Sequence, residues 1–159
     1  MKLTYKLNDY KGLVKSAKQS IKKKQELTFD EAIALFAYYT KRAIDFFCID
    51  PAWDITLSTD CDEEGACISF TPRYLHARIS FNPDYFRTHH SDILKAAVHE
   101  VAHIFLGKIH GFIDILPDEY ADENHPFNRY YTDAFEEATT RVERIFFKYM
   151  GEEDGDSED

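Results

Sequence analysis

His99-Glu100-Val101-Ala102-His103 reads H-E-x-x-H. Residues four apart on a helix lie on one face, so two imidazoles so placed reach a common ion at about 2.0–2.1 Å. A glutamate directly after the first histidine stands beside such an ion rather than on it, where it takes a proton from a metal-bound water. The chemistry this predicts is metal-assisted hydrolysis, with His99 and His103 as zinc ligands and Glu100 as the general base. On a helical wheel with His99 at 0°, His103 falls at about 40°, and Leu94, Ala97, Val98, Val101, Ile104 and Phe105 fall between about 140° and 260°. The apolar stripe is therefore opposite the histidines, as expected for a helix that floors a cleft. The same ligand types also accept iron, cobalt or manganese.

A catalytic zinc site uses three protein ligands and keeps one open position. A glycine three residues and a histidine six residues after the second histidine would mark one extended zincin pattern, but Leu106 and Ile109 occupy those positions. The carboxylates of the last long helix are the alternative, in Phe135-Glu136-Glu137-Ala138-Thr139-Thr140-Arg141. Glu136 and Glu137 flank its apolar set of Phe135, Ala138, Val142, Ile145 and Phe146 about equally, so periodicity does not choose between them. Tyr130, Tyr131, Arg141 and His110 are candidate donors to a tetrahedral intermediate, and Asp133, Asp114 and Asp118 are candidate carboxylates behind a ligand imidazole.

The segment HEVAHIFLGKIHG, followed by FEEATTRVERIF, resembles the gluzincin clan of zinc metallopeptidases. It looks most like the small members: minigluzincins, ImmA/IrrE-like peptidases and phage-encoded metallopeptidases. The resemblance covers roughly residues 75–147 and implies a zincin-like domain whose third ligand is a glutamate on the helix after H-E-x-x-H. In ImmA/IrrE-like proteins that glutamate directly precedes an alanine in E-x-E-A-N. Glu137-Ala138 matches the E-A portion, which implies His99, His103 and Glu137 as the ligand set. Phe135 stands where the pattern has its first glutamate and Thr139 where it has asparagine, so Glu136 stays open.

The elements that must position these groups are legible from patterning. Residues 9–24 form a basic amphipathic helix, with Tyr10, Leu13, Val14, Ala17 and Ile21 on one face and lysines on the other. Thr28 with Glu31 forms a capping box for a helix that runs to about Phe47. Alternation predicts strands at 53–58, 66–71 and 75–82. Ser91 is expected to cap the H-E-x-x-H helix, which runs to Leu106 with Gly107 after it, and Thr132 or Asp133 to start the last helix, which runs to about Met150. The predicted class is α+β: N-terminal helices, a three- to four-stranded sheet, antiparallel or mixed, then the two site helices. Residues 76–82 are a candidate edge strand onto which an extended peptide adds.

At 159 residues, with 44% hydrophobic and 15% aromatic residues, the chain carries enough apolar side chain for one core, assigned to 1–150. A net charge of −10 disfavours general nucleic-acid binding. The charge is uneven: residues 1–24 carry +7, the remainder −17, and the tail 151–159, with six acids, is expected to be disordered. No apolar run spans a membrane, and the N-terminus lacks the apolar stretch of a signal peptide, so a cytoplasmic location is expected. Cys48, Cys61 and Cys67 match no metal-ligand spacing and read as reduced thiols. The expected partner is a peptide or protein substrate. The competing reading is a zinc-binding regulatory protein with weak or no turnover, contacting nucleic acid through the basic N-terminal helix.

Overall fold

The computed structural model describes residues 2–3, 10–61, 64–111, 117, 120, 122 and 124–150. The acidic tail, Asp114 and Asp118 lie outside these residues, as does the side chain of His110. The described chain is α+β, as expected: β1 (Lys2–Leu3), α1 (Tyr10–Lys22), α2 (Phe29–Phe46), β2 (Asp54–Ser58), β3 (Ala66–Thr71), β4 (His76–Phe81), α3 (Pro83–Thr88), α4 (Ile93–Phe105), α5 (Gly107–His110) and α6 (Pro126–Met150).

The central helix is α2. Thr28 Oγ1 accepts from the Glu31 amide at 3.2 Å, and Glu31 Oε2 accepts from the Thr28 amide at 2.8 Å, so the capping box closes as the sequence predicts. Its buried Ala32, Ile33, Leu35, Phe36 and Ala37 form the middle of the core. Phe36 stacks on Phe81 of β4 with centroids 4.1 Å apart and lies 5.7 Å from Phe86 of α3, which fixes the helix to the sheet.

The sheet is mixed, in the order β1-β2-β4-β3. Strands β1 and β2 pair in parallel, β2 and β4 pair in parallel, and β3 and β4 form an antiparallel hairpin. Ile55, Leu57, Ala77, Ile79 and Phe81 point into the core from β2 and β4. The opposite face is polar, with Arg78 reaching Ser58 at 3.1 Å and also Asp60. The candidate edge at 76–82 is corrected by this order: β4 is enclosed by β2 and β3, and β3 takes the outer position. Strand β2 pairs in parallel with β4 across the intervening β3, a pairing that alternation within each strand does not encode.

Three boundaries also differ from the sequence expectation. Ser91 lies in a short 3-10 turn and α4 starts at Ile93, with no side-chain cap. Gly107 opens α5 instead of ending α4, and a Cβ there would meet Phe70 and Trp53 at 3.4 Å. Helix α6 begins at Pro126, well before Thr132, because proline at the first helical position lacks only an amide that had no partner anyway. Among the described residues no helix is long and apolar enough to cross a membrane.

Candidate metal centre

Helix α4 carries both histidines. Its Ile93, Ala97, Val98, Val101 and Ile104 are buried, which turns His99 and His103 toward α6. Phe105, expected in the apolar stripe, is instead about half exposed and lies tilted against Phe47 with centroids 5.5 Å apart. Helix α6 is fastened at its far end by Phe146, buried between Phe46 at 5.0 Å and Phe47 at 6.0 Å. That anchor lays one stripe of α6 across the histidines: Phe135, Thr139, Glu143 and Phe146 are its buried residues.

The two Nε2 atoms approach to 3.1 Å. The Glu136 carboxylate completes a triangle, with Oε2 3.5 Å from His99 Nε2 and Oε1 3.6 Å from His103 Nε2. Behind each imidazole stands a partner for its other nitrogen. His99 Nδ1 is 3.2 Å from Oε2 of the buried Glu143. His103 Nδ1 is 3.3 Å from Thr139 Oγ1. The Thr139 hydroxyl donates to the Phe135 carbonyl at 2.9 Å, so toward His103 its oxygen accepts. With an oxygen behind each Nδ1, neutral rings protonated at Nδ1 satisfy both contacts and turn both Nε2 lone pairs toward each other. Two lone pairs 3.1 Å apart repel unless a proton or a cation lies between them.

Tetrahedral donors at about 2.0–2.1 Å from an ion stand roughly 3.3–3.4 Å from one another. The observed separations of 3.1, 3.5 and 3.6 Å bracket that value, and the donor set of two imidazoles and a carboxylate suits a divalent ion. His99, His103 and Glu136 form a group that could hold a metal ion. Glu136 is half exposed while His103 is buried, so the open side of the triangle faces solvent along α6.

Glu100 is 6% exposed and, among the described residues, makes no hydrogen bond or ion pair. Burial pushes its carboxyl up to about 7; His99 opposes that rise and Glu136 adds to it. The Phe135 ring stacks against His103 with centroids 5.3 Å apart, and Tyr131 stacks on Phe135 at 6.1 Å.

The structure brings His99 and His103 together with Glu136, the alternative that the sequence left open, and sets Glu137 apart from them. Glu137 points away from the histidines and accepts from Arg141 at 2.5 Å, both side chains being largely exposed. Glu137 stands one residue, about 100° of helix, around from Glu136, which turns it off the stripe that faces the histidines. Tyr130 is 75% exposed on the outer side of α6, and Tyr131 donates its hydroxyl to the Ile109 carbonyl at 2.9 Å. Asp133 is exposed, and the carboxylate behind an imidazole is Glu143 instead. Sequence reasoning missed Glu143 and Thr139. Glu143 lies seven residues after Glu136 and four after Thr139, two turns of helix on one face, and this was the available signal. No family model, curated protein or solved structure matches the chain.

Proposed function

We propose that the chain binds one zinc ion through His99, His103 and Glu136 and hydrolyses peptide bonds in the manner of a small zincin-like metallopeptidase. The observation that carries this reading is the 3.1 Å approach of two Nε2 atoms whose rings each have an oxygen behind Nδ1. An ion held there supplies a Lewis acid and lowers the pKa of a bound water toward neutrality. Glu143 and Thr139 hold the imidazoles in the ligating tautomer, and Phe135 fixes the plane of the His103 ring. Glu100 is buried beside the cluster with a proton affinity matched to neutral pH, so it accepts a proton from an attacking water and returns it to the leaving amine. The likeness of HEVAHIFLGKIHG to gluzincin motifs supports the same reaction class.

The test compares the wild type with Glu100→Gln by elemental analysis and against a broad peptide library. Both proteins should hold about one zinc per chain, because Glu100 is not in the ligand triangle. Cleavage should fall by roughly two to four orders of magnitude in the variant, the usual contribution of a general base. A wild type without zinc would end the metal reading. Zinc in both proteins with no cleavage in either would replace peptidase activity with a binding or regulatory role.

A further inference from the structure

Cys61 follows β2 and Cys67 lies on β3, with β4 between those strands in the sheet. Their sulfurs are nevertheless only 3.5 Å apart. Gly65 adopts a φ of 117°, a left-handed region that disfavours other residues, and its carbonyl accepts from the Asn82 amide at 2.9 Å. That bond extends the β3–β4 pairing one step past Ala66 and Phe81, which fixes the start of the strand that carries Cys67. Cys61 is 7% exposed; Cys67 is exposed and opposite Ser80 in the strand register. No disulfide joins them.

We propose that Cys61 and Cys67 are a redox pair that closes to an intramolecular disulfide on meeting a low-molecular-weight disulfide such as oxidised glutathione. The difference in exposure orders the steps. The Cys67 thiolate attacks one sulfur of the small disulfide, forming a mixed disulfide and releasing one small thiolate. The Cys61 thiolate then attacks Cys67 Sγ, forms the Cys61–Cys67 bond and releases the second small thiolate. The two protons from the cysteines pass to the two released thiols. The protein is oxidised by two electrons and the small disulfide is reduced by two. Closing the bond shortens the sulfur separation from 3.5 Å to about 2.0 Å, an adjustment within reach of side-chain rotation. The bond would fasten β3, which hydrogen-bonds within the sheet to β4, directly to the chain leaving β2. None of the residues of the metal centre takes part, so this pair stands or falls separately from the hydrolase reading.

The experiment incubates the full chain in glutathione buffers of increasing oxidised fraction, then counts thiols in denaturant and maps the peptides by mass spectrometry. The wild type should fall from three titratable thiols to one, lose two hydrogens, and yield a peptide linked between Cys61 and Cys67. Cys61→Ser should stop at the first step and carry one glutathione on Cys67. Cys48→Ser should oxidise at the same midpoint as the wild type and retain no thiol. The native wild type should also bind one phenylarsine oxide, which needs two adjacent thiols; this arm requires no variant to fold. Three thiols that persist in oxidised buffer, a stable glutathione adduct on wild-type Cys67, or a link through Cys48 would each overturn the proposal.

Discussion

Glu31 at the junction of α1 and α2 and Glu100 on α4 are the same residue type, almost equally buried, at 5% and 6% exposure. Their proton affinities move in opposite directions. Burial alone would raise both, but Glu31 accepts from Ser16, from the Thr28 amide and hydroxyl, and from Ser20, and these bonds hold its carboxyl below the usual value. Glu100 has no such partner among the described residues, and burial carries it to about 7. A buried carboxylate with its acceptor sites filled is a tie between helices. One left without donors in a cluster of imidazoles holds or releases a proton near neutral pH. Glu143 is buried like Glu31, and its carboxylate stands 3.2 Å from His99 Nδ1.

The largest expected effect separates the two adjacent glutamates of α6. Glu136→Ala should weaken zinc binding by well over the roughly tenfold to hundredfold typical of an outer partner, because it removes a corner of the donor triangle. Glu137→Ala should change it little, since that side chain is exposed and paired with Arg141. Competition titration with a chelator measures both. Equal losses would mean that the helix rotates to offer either carboxylate, and the sharp division between site and surface would fail.

Next in size is a pH effect in metal-free protein. Because the folded-state affinity of Glu100 is raised from 4.5 to about 7, the native state binds more protons than the unfolded state between those values, and stability falls as pH rises through that window. The loss approaches about 3 kcal/mol at its upper bound. Urea unfolding of chelated protein at pH 5 and pH 8 should show this slope in the wild type and a flatter one in Glu100→Gln. Identical slopes would place Glu100 in a less demanding environment and remove its contrast with Glu31.

The same contrast explains how much could be read from the sequence. The capping box of α2, the amphipathic α1 and the alternation in β2, β3 and β4 were legible because local pattern and tertiary role agree there. So was the meeting of His99 and His103, whose spacing is set by one helix. Helix α6 was not. Its apolar residues suggest a buried stripe through Ala138, Val142 and Ile145, yet Ile145 is half exposed while Thr139 and Glu143 are buried. Polar groups turned inward to serve the imidazoles displace the stripe, and a periodicity argument counts them as outward-facing. The parallel pairing of β2 with β4 was likewise hidden, because register between distant strands leaves no trace in either one alone.

Glu143→Ala should lower zinc affinity about tenfold to a hundredfold, less than Glu136→Ala, by freeing the His99 ring to turn. Thr139→Val, which keeps the shape but removes the acceptor for His103 Nδ1, should act in the same direction and more weakly. If Glu143→Ala left affinity unchanged, its burial would be that of a helix tie, and it would belong with Glu31.

The smallest effect concerns Glu31 itself. Its folded-state affinity for protons is depressed, so the stability it contributes is present above the unfolded carboxylate value and is lost as pH falls through the lower folded value. Glu31→Gln keeps the size of the side chain but replaces an ionised acceptor with a neutral amide that must turn one end toward donors it cannot accept from. About 1 kcal/mol of stability should be lost near neutral pH, in the range of a weakened helix cap, and the difference from wild type should shrink toward acid pH. Zinc content and peptide cleavage should not change, because Ser16 and Thr28 lie in the α1–α2 junction and make no contact with the donor triangle. A metal defect in Glu31→Gln would show that the two regions are energetically coupled through α2, and that equal burial had concealed a shared role.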